Sequence, residues 1–347
     1  MHKNGEMVAA FEREFAAYVG AKFAIALNSG TSTLHTALVA LGVQPGDRVA
    51  VPPLTMSATT IAVLHSGAVP VFVDVDERTW LTKLLPVGFV AARMPVSLYG
   101  LCAPFAGDSL LIDDAAQTLR KHSGAAFTSY SFQNSKILAL GEGGMLVTND
   151  ESLATRAREF SSLGYRMRAD QPRIDPAILK SPTYERHHSL GWNYRMNDIT
   201  AALGLARLKR ADDLLRDRRE CAAMYRDVIR DVSWLTPQFI PDGWQHDYWT
   251  YALSCDTPER ALKLADAVVK HGGERPYGAW RLTYHEPAFK HLTAPQMGIV
   301  GGENTTVLDL CPVAESLQPR LLQFQTNDLA SAERNAKALR AAIQELA

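Results

Sequence analysis

"SYSFQNSKILALGEGG", residues 129–144, sets one lysine, Lys136, between a short hydroxyl and aromatic run and a turn made almost wholly of glycine. Most lysines are solvated surface charges, so Lys136 alone signals nothing. Its setting says more. "TSYSF" (128–132) before it and "GMLVTND" (144–150) after it both read as strands. Gly141, Gly143 and Gly144 permit backbone with φ > 0, which strains other residues. A lysine delivered at the end of a buried strand is a candidate nucleophile or base.

Upstream, further short apolar runs alternate with helical patterns. The runs are "FAIAL" (23–27), "RVAVP" (48–52), "VPVFVDVD" (69–76), "MPVSLYG" (94–100) and "SLLIDDAA" (109–116). Continuous apolar runs without strict alternation suit strands buried on both faces, which predicts a mostly parallel or mixed sheet between helices. The fold class is therefore α/β. Residues 32–42 and 57–67 read as helices closed by Gly42 and Gly67. The start, through Gly20, reads as an amphipathic helix, and residues 197–231 read as one long helix leaving the first domain. "YWTYALS" (248–254), "CDTPERALKLADAVVKHGG" and the terminal "DLASAERNAKALRAAIQEL" form a smaller unit. The expected division is 1–230 and 231–347.

Composition narrows the function classes. Lys and Arg total 36 against 37 Asp and Glu, so no global charge draws the chain to nucleic acid or an anionic membrane. Cys102, Cys221, Cys255 and Cys311 are far apart with no C-x-x-C, which disfavours a disulfide framework and a zinc site and suggests a reducing, cytoplasmic setting. The N-terminus lacks a signal-peptide pattern, and no apolar run reaches membrane-spanning length. The first strand is not followed by G-x-G-x-x-G, so a dinucleotide-binding oxidoreductase is disfavoured.

Three motifs carry chemistry together. "NSGTSTLH" (28–35) follows a strand and opens a helix at Gly30, Thr31 and Ser32; its N–H groups and hydroxyls suit an anion, and equally suit an ordinary N-cap. "LLIDDAAQTL" ends a strand in Asp113 and Asp114, where open α/β sheets bind ligands and where aspartates also cap helices. Lys136 follows, with Ser131 and Ser135 nearby. Amine, acid and anion cradle are what pyridoxal phosphate requires.

These stretches, with "VPPLTMSATTIAVLHSGAVPVFVDVD", "GEGGMLVTND" and "GWNYRMNDITAALGLARLKR", resemble the DegT/DnrJ/EryC1/StrS family of pyridoxal phosphate-dependent sugar aminotransferases, within fold type I. The resemblance is clear over about residues 5–230. It implies a large domain with a seven-stranded, mostly parallel sheet and a smaller C-terminal α/β domain. Lys136 matches the family's Schiff-base lysine, Asp114 the partner of the pyridinium nitrogen and Gln117 the residue beside the ring. Gly30, Thr31, Ser32 and Ser131 match the phosphate cradle. Asn193 matches an asparagine that reaches the cofactor of a neighbouring subunit, which implies a homodimer with a shared site. Met56 stands where the family usually has an aromatic ring over the cofactor; a thioether packs there as a softer wall. The stretch 74–114 is compressed relative to the family, as is the N-terminus.

Related dehydratases carry histidine at the lysine position, so Lys136 favours transamination. The expected substrates are an amino donor, glutamate or glutamine, and a nucleotide-linked keto-deoxysugar. Rivals are a cyclitol or aminobenzoate-type ring ketone, and a non-catalytic relative that kept the fold. In "GGERPYGAWRLTYHEPAF" (272–289), Arg281 and His285 are candidates for the substrate end, or parts of a surface loop around Trp280 and Tyr284. His187 and His188 are not assigned a metal.

Overall fold

In the computed structural model, residues 5–83, 90–102, 108–169, 177, 180–289 and 310–347 are described. The chain begins with α1 (Glu6–Val19), β1 (Phe23–Leu27), α2 (Gly30–Leu41), β2 (Arg48–Val51), α3 (Ala58–His65) and β3 (Val69–Phe72). Then come β4 (Ala92–Arg93), β5 (Leu101–Cys102), β6 (Ile112–Asp114), β7 (Phe127–Ser131), β8 (Gly144–Thr148) and α4 (Glu151–Ser161). The second half holds α5 (Asp198–Leu208), α6 (Ala211–Ile229), β9 (Leu235–Pro237), β10 (Gln245–His246), β11 (Thr250–Cys255) and α7 (Pro258–Lys270). It closes with β12 (Tyr277–Gly278), α8 (Pro312–Leu317), β13 (Leu321–Gln325) and α9 (Leu329–Leu346).

Two ladders, β3-β2-β4 and β6-β7-β8-β1, are joined by parallel bridges Arg93 to Leu111 and Val96 to Asp114. The joined sheet has the order 3-2-4-6-7-8-1, and β8 runs antiparallel to both its neighbours. This is the seven-stranded mixed sheet expected from the sequence. Both faces are covered, which explains the unbroken apolar runs. In β1, Ala24 and Ala26 enter a core beneath α1, whereas Ile25 and Leu27 enter a core beneath α2 and α4. In β8, Met145 and Val147 join the first core and Leu146 the second. A period of two with both faces apolar leaves no polar alternation to read.

The second sheet, β12-β13-β11-β9, packs with α6, α7 and α9 around its own core of Tyr225, Leu253, Leu264, Phe324 and Leu339. Glu12 on α1 links regions of the first half: it accepts from Arg158 at 3.0 and 2.8 Å and from the Ala26 N–H at 2.8 Å. Arg158 also donates to the carbonyls of Ala24 and Ala169. The buried charge pair is thus satisfied on several sides.

Two expected elements are corrected. The single long helix over 197–231 is two helices, broken at Lys209 and Arg210, and the second passes from one core to the other. Ala201, Leu208, Ala211 and Leu215 face the first core, and Cys221, Ala222, Tyr225 and Ile229 face the core of the second sheet. Residues 94–100 are not a continuous strand. The pairing partner of β2 lies earlier, at Ala92–Arg93, Pro95 offers no N–H to a ladder, and Leu98–Gly100 forms a 3-10 turn with Tyr99 at φ 60. The compressed stretch 74–114 lies partly outside the described residues, at 84–89 and 103–107; between β3 and β4 the described residues contain no helix.

Candidate active site

Asp114 ends β6 and Ser131 ends β7, so the parallel pair delivers both to the same edge of the sheet. Lys136 lies in the turn that follows β7. That turn is folded back on itself: Phe132 N–H donates to the Gly143 carbonyl, Leu140 N–H to that of Phe132, and Lys136 N–H to that of Gln133. Gly141 takes φ 87, as the turn requires. Gly144 is needed for a different reason: a Cβ there would lie 2.4 Å from the Ser29 carbonyl oxygen, where β8 meets the start of α2.

Asp114 is buried, and its carboxylate accepts from the Thr59 hydroxyl at 2.8 Å and the Ala116 N–H at 3.2 Å. Burial raises its pKa, while those two hydrogen bonds and the Lys136 charge act against the rise. Lys136 shows the converse: burial lowers its pKa and Asp114 draws it back up. The two groups therefore sense each other electrostatically across a largely buried corner. Neighbouring Asp113 is buried too, raised to about 6 by burial against the pull of Arg120, 3.5 Å away.

Trp249 forms the other wall. Its ring centre is 4.7 Å from Lys136 Nζ, its indole N–H donates to the Ser135 carbonyl at 2.6 Å, and its ring stacks on Trp280 at 5.8 Å. Trp280 is how the segment of Arg281 and His285 comes near the site. Arg281 itself is exposed. His285 packs edge-on against Tyr284, and its Nε2 is buried without a partner.

The anion cradle is built at the start of α2. Ser29 caps the helix, accepting from the Ser32 N–H at 3.1 Å, while the Ser32 side chain accepts from Ser29 N–H at 3.2 Å and donates to the Ser29 carbonyl. The Ser32 hydroxyl is thus engaged in the cap. The N–H groups of Gly30 and Thr31 have no intrahelical acceptor. Gly30 is obligatory by contact, since its Cβ would lie 2.7 Å from the Ser131 Cβ. Thr33 ties the cradle to β7 through Ser129, with 2.6 Å between the hydroxyl oxygens.

Gln117 is buried and accepts from the Tyr99 N–H at 2.5 Å, fixing that left-handed turn beside Asp114. Met56 is 49% exposed at the mouth, its sulfur accepting from the Ala58 N–H at 3.0 Å. Asn193 is exposed and its backbone bridges to Ser162, so no described contact brings it to Lys136 within one chain. Sequence reasoning missed Thr59 and Trp249. Thr59 sits in "SATTIA" among unremarkable helix residues, and Trp249 in the strand-like run that leads into the second sheet, far along the chain from Lys136.

The residues fit pyridoxal phosphate: a half-buried amine, a buried acid held by a hydroxyl, and a helix start kept clear of side chains by Gly30. The sheet order with its single reversed strand and this corner together define a class, the pyridoxal phosphate-dependent aminotransferases of fold type I. Within that class the assignment is narrower. Residues 1–334 match the sequence profile of the DegT/DnrJ/EryC1/StrS aminotransferase family, and the chain belongs to that family. It is 36% identical to a GDP-perosamine synthase of Caulobacter vibrioides, covering 85% of this chain and 82% of that one. It is 35% identical to the spore coat polysaccharide biosynthesis protein SpsC of Bacillus subtilis, covering 76% and 72% respectively. The crystal structure of a 3-amino-5-hydroxybenzoic acid synthase superposes with a TM-score of 0.80 at 26% identity, over 98% of this chain and 91% of that one. Among the described residues no helix is long and apolar enough to cross a membrane.

Proposed function

We propose that this aminotransferase moves an amino group from glutamate, or glutamine, to the keto group of a nucleotide-linked keto-deoxysugar. The observation that carries the reading is the Lys136 amine set beside buried Asp114, in a chain 36% identical to a GDP-perosamine synthase. Pyridoxal phosphate, when bound, supplies the electron sink that makes the donor's α-proton removable. Lys136 is the amine that bonds it and the base that takes that proton. Its pKa, lowered by burial, leaves more of the amine unprotonated than a surface lysine would have. Asp114, oriented by Thr59, holds the ring nitrogen in its protonated form.

The N–H groups of Gly30 and Thr31, with the hydroxyls of Thr31 and Ser131, hold the phosphate at the positive end of α2, and Ser32 keeps that helix start in shape. Gln117 fixes the backbone beside the ring, and Met56 covers its open face. Asn193 serves the site of a second copy, in a homodimer. Arg281 and His285 contact the acceptor. Four free, buried cysteines suit a cytoplasmic setting. The proposed domain division is 1–230 and 231–347, supported by the separate core around Leu253, Leu264, Phe324 and Leu339 in the second sheet and its helices.

The test is to supply cofactor, glutamate and a nucleotide-linked keto-deoxysugar, and to look for the amino sugar by mass spectrometry. Amination of a keto-cyclitol or ring ketone in its place would move the assignment to that group. Failure to convert either glutamate or glutamine would identify a non-catalytic relative.

A further inference from the structure

A second cavity of about 420 Å³ lies between the turn after β3 and the β9 and β11 edge of the second sheet. Arg78, Arg226, Pro237, Phe239, Tyr248 and Tyr251 line it, and none of the residues assigned above does. Its wall is rigidly supported. Tyr248 is held at φ 48, donates its N–H to His246 Nδ1 at 2.9 Å, and stacks on the His246 ring at 3.9 Å. Because Nδ1 accepts, the His246 proton is on Nε2, which donates to the Gln238 side-chain oxygen at 3.1 Å; the Gln238 amide in turn donates to the Thr79 carbonyl at 2.7 Å. Burial pushes the His246 pKa down to about 3, so this ring is neutral and the positive charge of the cavity comes from its arginines.

Two polar groups there lack protein partners. The Tyr251 hydroxyl is buried with no hydrogen bond. Among the described residues no carboxylate pairs with Arg226, which is exposed and lies near enough to lower the pKa of both Tyr248 and Tyr251. The remainder is apolar or aromatic, and Arg78 is laid over the Phe239 ring at 3.6 Å. We propose that this cavity binds a small organic monoacid, with its carboxylate at Arg226 and its apolar or aromatic ring against Phe239 and Pro237. Glu77 at the same cavity disfavours a second negative group and offers an acceptor to a ring hydroxyl. At about 30 Å³ for a water-sized group, the space suits a ligand of roughly a dozen heavy atoms.

The test is calorimetric titration of the cofactor-loaded enzyme, whose Lys136 corner is filled, with 3-hydroxybenzoate and its neutral analogue 3-hydroxybenzamide. One saturable site is expected for the acid, with binding about tenfold weaker for the amide and for Arg226→Ala. Turnover of glutamate in Arg226→Ala should equal that of wild type. No saturable binding, equal affinity of acid and amide, or unchanged affinity in Arg226→Ala would each overturn the assignment. The acid and amide comparison on wild type stands even if the variant fails to fold.

Discussion

Around Lys136 the acid, the amide and the helix cap find partners within one chain, whereas between Leu190 and Leu203 several large apolar side chains face outward. Asp114 is held by Thr59, Gln117 holds Tyr99, and Ser29 and Ser32 cap each other. On the other surface Leu190 is 95% exposed, Ile199 85% and Trp192 56%, in the stretch that carries Asn193. Clustered exposed side chains of this kind mark an interaction surface. The difference teaches that acid, amine and cradle are assembled by one chain, whereas the apolar stretch that carries Asn193 is left uncovered by it; the homodimer proposed above would cover that surface. Catalytic substitutions should then act without changing assembly, and surface substitutions through assembly.

The largest effect is expected from Asp114→Ala, which removes the buried acid. Transamination should fall about 10³-fold with the oligomer unchanged by sedimentation. Ile199→Asp tests the other region. On the proposed homodimer it should yield monomers and weaken cofactor binding by about tenfold to a hundredfold, read by equilibrium dialysis, because Asn193 would no longer reach a neighbouring site. A dimer that persists at the same concentration would break the comparison.

Thr59→Val sharpens it further. The hydroxyl donates to the ionised carboxylate and lowers the Asp114 pKa against burial, so its loss raises that pKa. Activity at neutral pH should drop about tenfold, and the acid limb of the pH profile should move to higher pH. The smallest effect is expected from Met56→Phe. A ring in place of the half-exposed thioether should tighten cofactor binding by about twofold to fivefold.

Much of this corner is legible in the sequence because its parts are local. Asp114 ends a strand and Gly30, Gln117 and Lys136 each follow one by a few residues, and strand ends on one sheet edge converge without further information. Thr59 and Trp249 were not legible, since each reaches the site across long chain separation, from α3 and from the residue just before β11. Ser32 is harder to read, because a cap and a cradle use the same residues; its hydroxyl is hydrogen-bonded to the Ser29 carbonyl. The break at Lys209 and Arg210 was hidden for a related reason. No proline or glycine marks it, and the apolar pattern runs on through it, since Leu208, Ala211 and Leu215 all enter the same core.

The most direct test of the central claim is the visible spectrum of the protein with added pyridoxal phosphate, followed by borohydride reduction and peptide mapping. The account predicts a lysine-dependent absorption band that fades when glutamate is added, and a reduced cofactor mass on the peptide containing Lys136. Attachment to a different lysine, or a band that persists unchanged in Lys136→Ala, would contradict it.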